Sequence, residues 1–161
     1  MMDANLAISI ASITGAALSM GLGAIGSAIG EGFTAYKAVQ GITRQPHATD
    51  GITRTMLIGM AVAETPGIFA LFIAIILALT PLPAQSLLQA VGLLSAGLCM
   101  GVGALGPGIG GGLAAGMACE GVGRQPVKVS FITRTMLIGQ AVSQSTTIYS
   151  LFIAILLIYV I

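Results

Sequence analysis

Residues Met56–Leu79 read MLIGMAVAETPGIFALFIAIILAL, an apolar run broken by a single charge, Glu64, near its middle. Its length suffices to cross the roughly 30 Å hydrocarbon core of a bilayer as a helix. A carboxylate at the centre of such a span costs roughly 3 kcal/mol on insertion scales and marks a functional site. The fold follows from that solvent, and the function from what holds Glu64 within it.

The whole chain fits the same environment. It has 161 residues, 56% of them hydrophobic and only 7% charged, with a mean hydropathy of +1.02. A soluble domain carries about 25% charged residues, so the composition predicts an integral membrane protein. Four apolar spans are expected, at Leu6–Val39, Met56–Leu79, Leu87–Cys119 and Met136–Ile161, with no stretch left for a soluble domain. Trp is absent and only three Tyr occur, so aromatic belts are weak. A secretory leader is not expected, because Asp3 is the first charge and no basic segment precedes the first span. Cys99 and Cys119 share one span, about 30 Å apart along a helix, and read as small buried residues.

Charge placement sets an orientation. All six basic residues (Lys37, Arg44, Arg54, Arg124, Lys128, Arg134) lie in or beside two short loops. The positive-inside rule puts both loops in the cytoplasm and the two termini outside, as in a bacterial inner membrane.

The chain also repeats itself. Gly21–Gly26 returns as Gly101–Gly106, Arg44-Gln45-Pro46 as Arg124-Gln125-Pro126, Thr53–Gly59 as Thr133–Gly139 and Leu71–Ile75 as Leu151–Ile155. Each pair is 80 residues apart, without a gap. The expected architecture is therefore all-α, with four transmembrane helices in two tandem hairpins. The hairpins occupy residues 1–80 and 87–161, joined by an extracytoplasmic linker at 81–86. In the first helix Ser19, Gly23, Gly26 and Gly30 line one face, echoed by Cys99, Gly103, Gly106 and Gly110. Small residues on one face let helix backbones pack closely in lipid. The second helix of each hairpin, rich in Leu, Ile, Phe and Ala, suits the lipid. Hairpins this thin bury little alone, so oligomerisation is expected.

A second acid joins the first. Glu31 lies thirteen residues before Arg44 and Glu64 ten after Arg54, which places both at a similar depth, about 15–20 Å from the basic loops. Two carboxylates in one dry layer must share a proton or hold a cation. Thr65 adds a hydroxyl oxygen, and Pro66 lacks the N–H that would occupy the Val62 carbonyl, so both suit a hard cation. In the second hairpin Gln144 replaces Glu64, Gly111 replaces Glu31, Ser145 matches Thr65, and Tyr149 replaces Phe69. That copy keeps the shape without the charge, so one chain should carry one ion site.

The Arg-Gln-Pro loops fit either a plain helix–helix turn or, by their exact repetition, a docking surface for a soluble partner. His47 reads as solvated, and Glu120 as an interface charge. No phosphate cradle outside the membrane and no nucleophile–base pair occur, so neither an enzyme with its own chemical site nor a nucleic-acid binder is expected.

Lys37-Ala-Val, Arg44-Gln-Pro, Thr55-Met-Leu-Ile-Gly, Ala63-Glu64-Thr65 and Ile68-Phe69, behind a glycine-rich helix, resemble the c subunit of F-type ATP synthases. The likeness runs twice along the chain. It implies a rotor-ring protein, with no chemistry of its own, whose carboxylate carries H⁺ or Na⁺ past an arginine of the stator's a subunit. The transported ion is its only small-molecule partner and no cofactor is implied. Other c subunits, the central stalk and membrane lipid are the implied partners. Arg44, Gln45 and Pro46, with Arg124, Gln125 and Pro126, then form the stalk-facing loops. The site straddles neighbouring hairpins, so Gly111, Gln144, Ser145 and Tyr149 line a silent interface. The duplication is similar to the four-helix proteolipid of V-type rotors, but there the acid usually lies in the last helix. Glu31 stands where sodium-binding members often have Gln, and Phe69 where such members have Tyr. Thr65 and the Val62 carbonyl favour Na⁺ over H⁺. Rival readings are a stand-alone channel or exchanger and a purely structural bundle.

Overall fold

The computed structural model describes residues 4–79 and 87–160. They form four helices, α1 (Ala4–Arg44), α2 (Thr49–Leu79), α3 (Leu87–Arg124) and α4 (Val129–Tyr159), and no strand occurs among them. The all-α pair of hairpins expected from the sequence is the fold. The expected linker lies outside the described residues.

The helices outrun the expected spans. α1 has 41 residues, about 60 Å of helix, twice the hydrocarbon thickness. The apolar runs end near Val39 and Cys119, but intrahelical hydrogen bonds need no lipid, and the helices continue to Arg44 and Arg124. Proline stops them. Gln45 and Gln125 leave the helical region (φ −139°, ψ 76° and φ −137°, ψ 72°), which the following proline disfavours. Pro46 and Pro126 each open a three-residue 3₁₀ turn, where a missing N–H costs nothing. Each turn is closed by matching bonds, Ala48 N–H to Gln45 C=O and Lys128 N–H to Gln125 C=O, both 3.0 Å. The expected loops are thus reduced to four residues each.

α1 and α3 form the most extensive helix pair, and α2 lies in the groove between them. α4 packs on α3 and touches α2 over a smaller area, while α1 and α4 form no packed pair. The glycine-rich helices are therefore the inner layer and the Leu/Ile-rich helices the outer one. Their backbones touch. A side chain at Gly26 would begin 2.6 Å from the Leu105 Cα, and one at Gly108 2.8 Å from the Gly26 carbonyl carbon. The stripe expected in α1 is wholly buried: Ser19, Gly23, Gly26 and Gly30 all face protein. Its echo in α3 turns toward α4 at three of four positions: Cys99 and Gly103 meet Ser150 and Gly110 meets Ser143, while Gly106 meets nothing within 4 Å.

Hydroxyls tie the layers where water cannot. Along one face of α1, Ser12 donates to Leu77 C=O, Ser19 to Ala70 C=O (2.8 Å) and Ser27 to Ala63 C=O (3.4 Å). Thr34 crosses to α3 and donates to Gly112 C=O at 2.9 Å. Leu, Ile, Val and Phe cover most of the outward surface, as a lipid-facing protein requires.

Overpacking this seam should be costly. Gly30→Leu, aimed at the Gly108 carbonyl, should destabilise the chain by about 2 kcal/mol in detergent unfolding. Gly32→Leu, on an open face of the same helix, should change it by less than about 0.5 kcal/mol. Equal effects would contradict the assigned packing.

Candidate functional site

Glu31 from α1 and Glu64 from α2 line one cleft of about 240 Å³, with Met20, Ala24, Ser27 and Ile68 among its walls. Helix geometry put both acids at one depth, and the packing of α1 on α2 brings them to one opening. Glu64 is exposed and Glu31 half-buried. The cleft opens on the flank of the first hairpin that faces away from the second.

Val62 lies elsewhere. Two residues before Glu64, it is turned roughly 200° around the helix from it. Its carbonyl accepts a hydrogen bond from the Gln144 side-chain amide of α4 at 3.2 Å. The sequence placed Val62 beside Glu64 as a ligand of the same ion, but the structure separates them onto opposite flanks of α2. Pro66, buried within α2, does leave that carbonyl free of its helical partner, and the amide of Gln144 takes the vacancy. Thr65 is half-buried between the two flanks.

The uncharged counterpart is a polar lock. Gln140, fully buried, donates through one amide nitrogen to Gly59 C=O of α2 (3.0 Å) and Gly111 C=O of α3 (2.9 Å). Gly111 leaves space here: a side chain at that position would begin 3.4 Å from the Ala63 Cα and 3.6 Å from the Gln144 amide nitrogen. Among the described residues, the oxygens of Gln140 and Gln144 and the Thr147 hydroxyl are buried without hydrogen-bond partners. The junction is therefore dipolar but carries no charge to move. Two expected members of it sit elsewhere. Ser145 turns back to its own helix, donating to Val142 C=O at 2.7 Å, and Tyr149 is 64% exposed on the outer surface. Gln140 and Thr147 went unread in the sequence. They stand where the first repeat has Met60 and Gly67, and that mismatch was the signal.

At the turn end, Glu120 is an interface charge as expected. It pairs with Lys37 across the hairpins at 2.8 Å and with Arg124 on its own helix. Arg44, Gln45 and Arg124 line a cleft of about 220 Å³ beside it, and Pro46, Gln125 and Pro126 are exposed. His47 is exposed too. Thr55 and Thr133 join α2 to α4 through their hydroxyls at 2.9 Å.

Comparison with known proteins agrees with the duplication. The family of ATP synthase C subunits matches twice, at residues 14–77 and 94–157. The chain is 52% identical over 75 residues to an ATP synthase c subunit of Alkaliphilus oremlandii, covering 47% of this chain and 84% of that protein. It is 49% identical over 77 residues to that of Natranaerobius thermophilus (48% and 88%). For the Thermotoga maritima protein the identity is 50% over 68 residues (42% and 80%). Each relative thus spans about half of this chain.

Replacing Gln140 by Met, the residue of the first repeat, removes two hydrogen bonds. At about 0.6 kcal/mol for each such bond in a membrane protein, the chain should lose about 1 kcal/mol in detergent unfolding. No change would mean that the amide does not tie α4 to its neighbours.

Proposed function

The chain belongs to the family of ATP synthase C subunits, and from that premise we propose that it carries its ion at the Glu31–Glu64 cleft alone. It is an integral membrane rotor subunit of an ATP synthase, and as such assembles with other subunits of the complex into a ring. The observation that carries the proposal is the contrast between two repeats of one fold. One presents two carboxylates to an open cleft; the other fills the same position with the Gln144 amide, bonded to main chain.

Glu64 is the carrier. A carboxylate binds Na⁺ or H⁺ as it enters the lipid-facing arc of the ring, and gives it up where the stator's positive charge offers a rival partner. Glu31 keeps a proton while Glu64 holds a metal ion, so the cleft stays near neutral in a medium where a net charge is costly. Na⁺ is the favoured cargo, because Thr65 offers a hydroxyl oxygen and oxygen ligands suit a hard cation. The next chain of the ring closes the cleft. Within the chain Gln144 reaches the Val62 carbonyl. By the 80-residue repeat, Glu64 reaches the Val142 carbonyl of its neighbour, beside that neighbour's Ser145. The chain has no chemistry of its own in this account, and it couples ion passage to rotation. The turns bearing Arg44-Gln45-Pro46 and Arg124-Gln125-Pro126 lie in the cytoplasm and meet the central stalk, and the basic residues around them set that orientation. With one carrier per four helices, a ring of such chains moves fewer ions per turn. Each ATP then works against a steeper gradient, which fits ATP-driven pumping.

In proteoliposomes holding the whole complex, Glu64→Gln should abolish ATP-driven ion transport while the ring still assembles; transport at the wild-type rate would refute the assignment. Thr65→Ala should raise the Na⁺ concentration for half-maximal activity about tenfold, the loss of about 1.4 kcal/mol of ligand energy. An unchanged Na⁺ dependence would remove Thr65 from the site.

A further inference from the structure

Of the packed helix pairs, α2 and α4 meet over the smallest area. Between their first turns lies a cleft of about 480 Å³, twice the volume of the ion cleft. Gly51 forms part of its wall where the second repeat carries Phe131, so α2 lacks the side chain that would fill the space. Arg54 and Arg134, counterparts 80 residues apart, both line this cleft. Among the described residues neither forms an ion pair, whereas Lys37 and Arg124 share Glu120. Asp50 lines it one turn nearer the start of α2, and the counterpart of Asp50 is the neutral Ser130, also in the wall. Two guanidinium groups against one carboxylate leave the cleft with a net positive charge.

The cleft is graded along the membrane normal. Arg54 lies ten residues from Glu64, about 15 Å of helix, which is half of the roughly 30 Å hydrocarbon core. With Glu64 near the middle of its span, Arg54 stands at the boundary between hydrocarbon and headgroups, and the repeat puts Arg134 at the same level. One turn deeper the walls become apolar, with Ile58 from α2 and Leu137 from α4. Cations at the boundary above an apolar floor match the shape of a phospholipid, with phosphate at one level and acyl chain below it. A soluble phosphate would use the arginines and leave the apolar end bare.

We propose that this cleft binds the headgroup of an anionic phospholipid, with its phosphate between Arg54 and Arg134 and the start of an acyl chain over Ile58 and Leu137. Guanidinium groups bind phosphate oxygens through paired N–H donors, and Ser130 adds a hydroxyl donor. The net positive charge selects lipids with a net negative headgroup over zwitterionic ones. A lipid held there spans α2 and α4, and so joins the two hairpins beside the Thr55–Thr133 contact. The inference rests on the membrane placement of the chain and is independent of which ion it carries.

Native mass spectrometry of the assembled ring, extracted in detergent and stripped of lipid, tests this. The ring is titrated with phosphatidylglycerol, with phosphatidylcholine of the same acyl chains, and with inorganic phosphate. The proposal expects one phosphatidylglycerol per chain, preferred over phosphatidylcholine by about fivefold or more and not displaced by equimolar phosphate. Each arginine removed should weaken binding about fivefold, so Arg54→Gln/Arg134→Gln should bind about 25-fold more weakly. Ser130→Asp, which places the acid of the first repeat at an exposed position and keeps both arginines, should also weaken binding about fivefold; it decides the matter if the double variant fails to assemble. Equal binding of the two lipids, or phosphatidylglycerol binding unaltered in these variants, would overturn the proposal. Displacement by inorganic phosphate would overturn it in favour of a soluble anion. If the lipid test fails while Glu64→Gln still abolishes transport, the rotor reading stands and only the lipid site falls.

Discussion

Inside a bilayer a polar group has only protein to bond to, and that constraint shapes each part of this chain. It makes the four long segments helical, because a helix satisfies its own backbone. It also makes the few polar side chains within them informative, since each must be placed against a partner. Ser12, Ser19 and Ser27 spend their hydroxyls on carbonyls of α2. Gln140 and Gln144 spend their amides on carbonyls of α2 and α3. Glu31 and Glu64 have no such partner among the described residues and face an open cleft. The tied hydroxyls and amides hold the helices together, and the two carboxylates take no part in those ties.

The duplication separates those two roles. Both hairpins keep the glycine-rich inner helix, the Arg-Gln-Pro turn and the apolar outer helix. Between the repeats the carboxylate becomes an amide, the second acid becomes Gly111, and Met60 becomes Gln140. Gln144 and Gln140 bind main chain of α2 and α3, and Gly111 leaves room for the Gln144 amide. The second hairpin thus gains ties to the first as it loses its carrier, and α2 becomes the element on which both meet, with Val62 on one flank and Glu64 on the other.

The sequence made the repeat, the four spans and the shared depth of Glu31 and Glu64 readable, because period and spacing along a helix fix depth directly. It did not show which flank each residue faces. α2 and α4 separate their polar and apolar residues into faces only weakly, and a helix without a distinct polar face carries little sign of its rotation about its axis. That is why Val62 was grouped with Glu64, and Tyr149 with the silent junction, until packing set the rotation. The serine face of α1 was read only at Ser19, and there as a small residue, because the acceptors of Ser12, Ser19 and Ser27 lie on another helix. The helix ends went further than hydropathy indicated, because proline, rather than polarity, stops them.

The central claim is that one carboxylate in each chain carries the ion. Mass spectrometry after treatment of the assembled ring with a carbodiimide, which modifies protonated carboxyl groups in apolar surroundings, measures this directly. The account predicts an adduct on Glu64 that Na⁺ suppresses, and none within the second hairpin. An adduct confined to other carboxylates, or a ring that stays unmodified without Na⁺ under conditions that label a proton-bound acid, would contradict it.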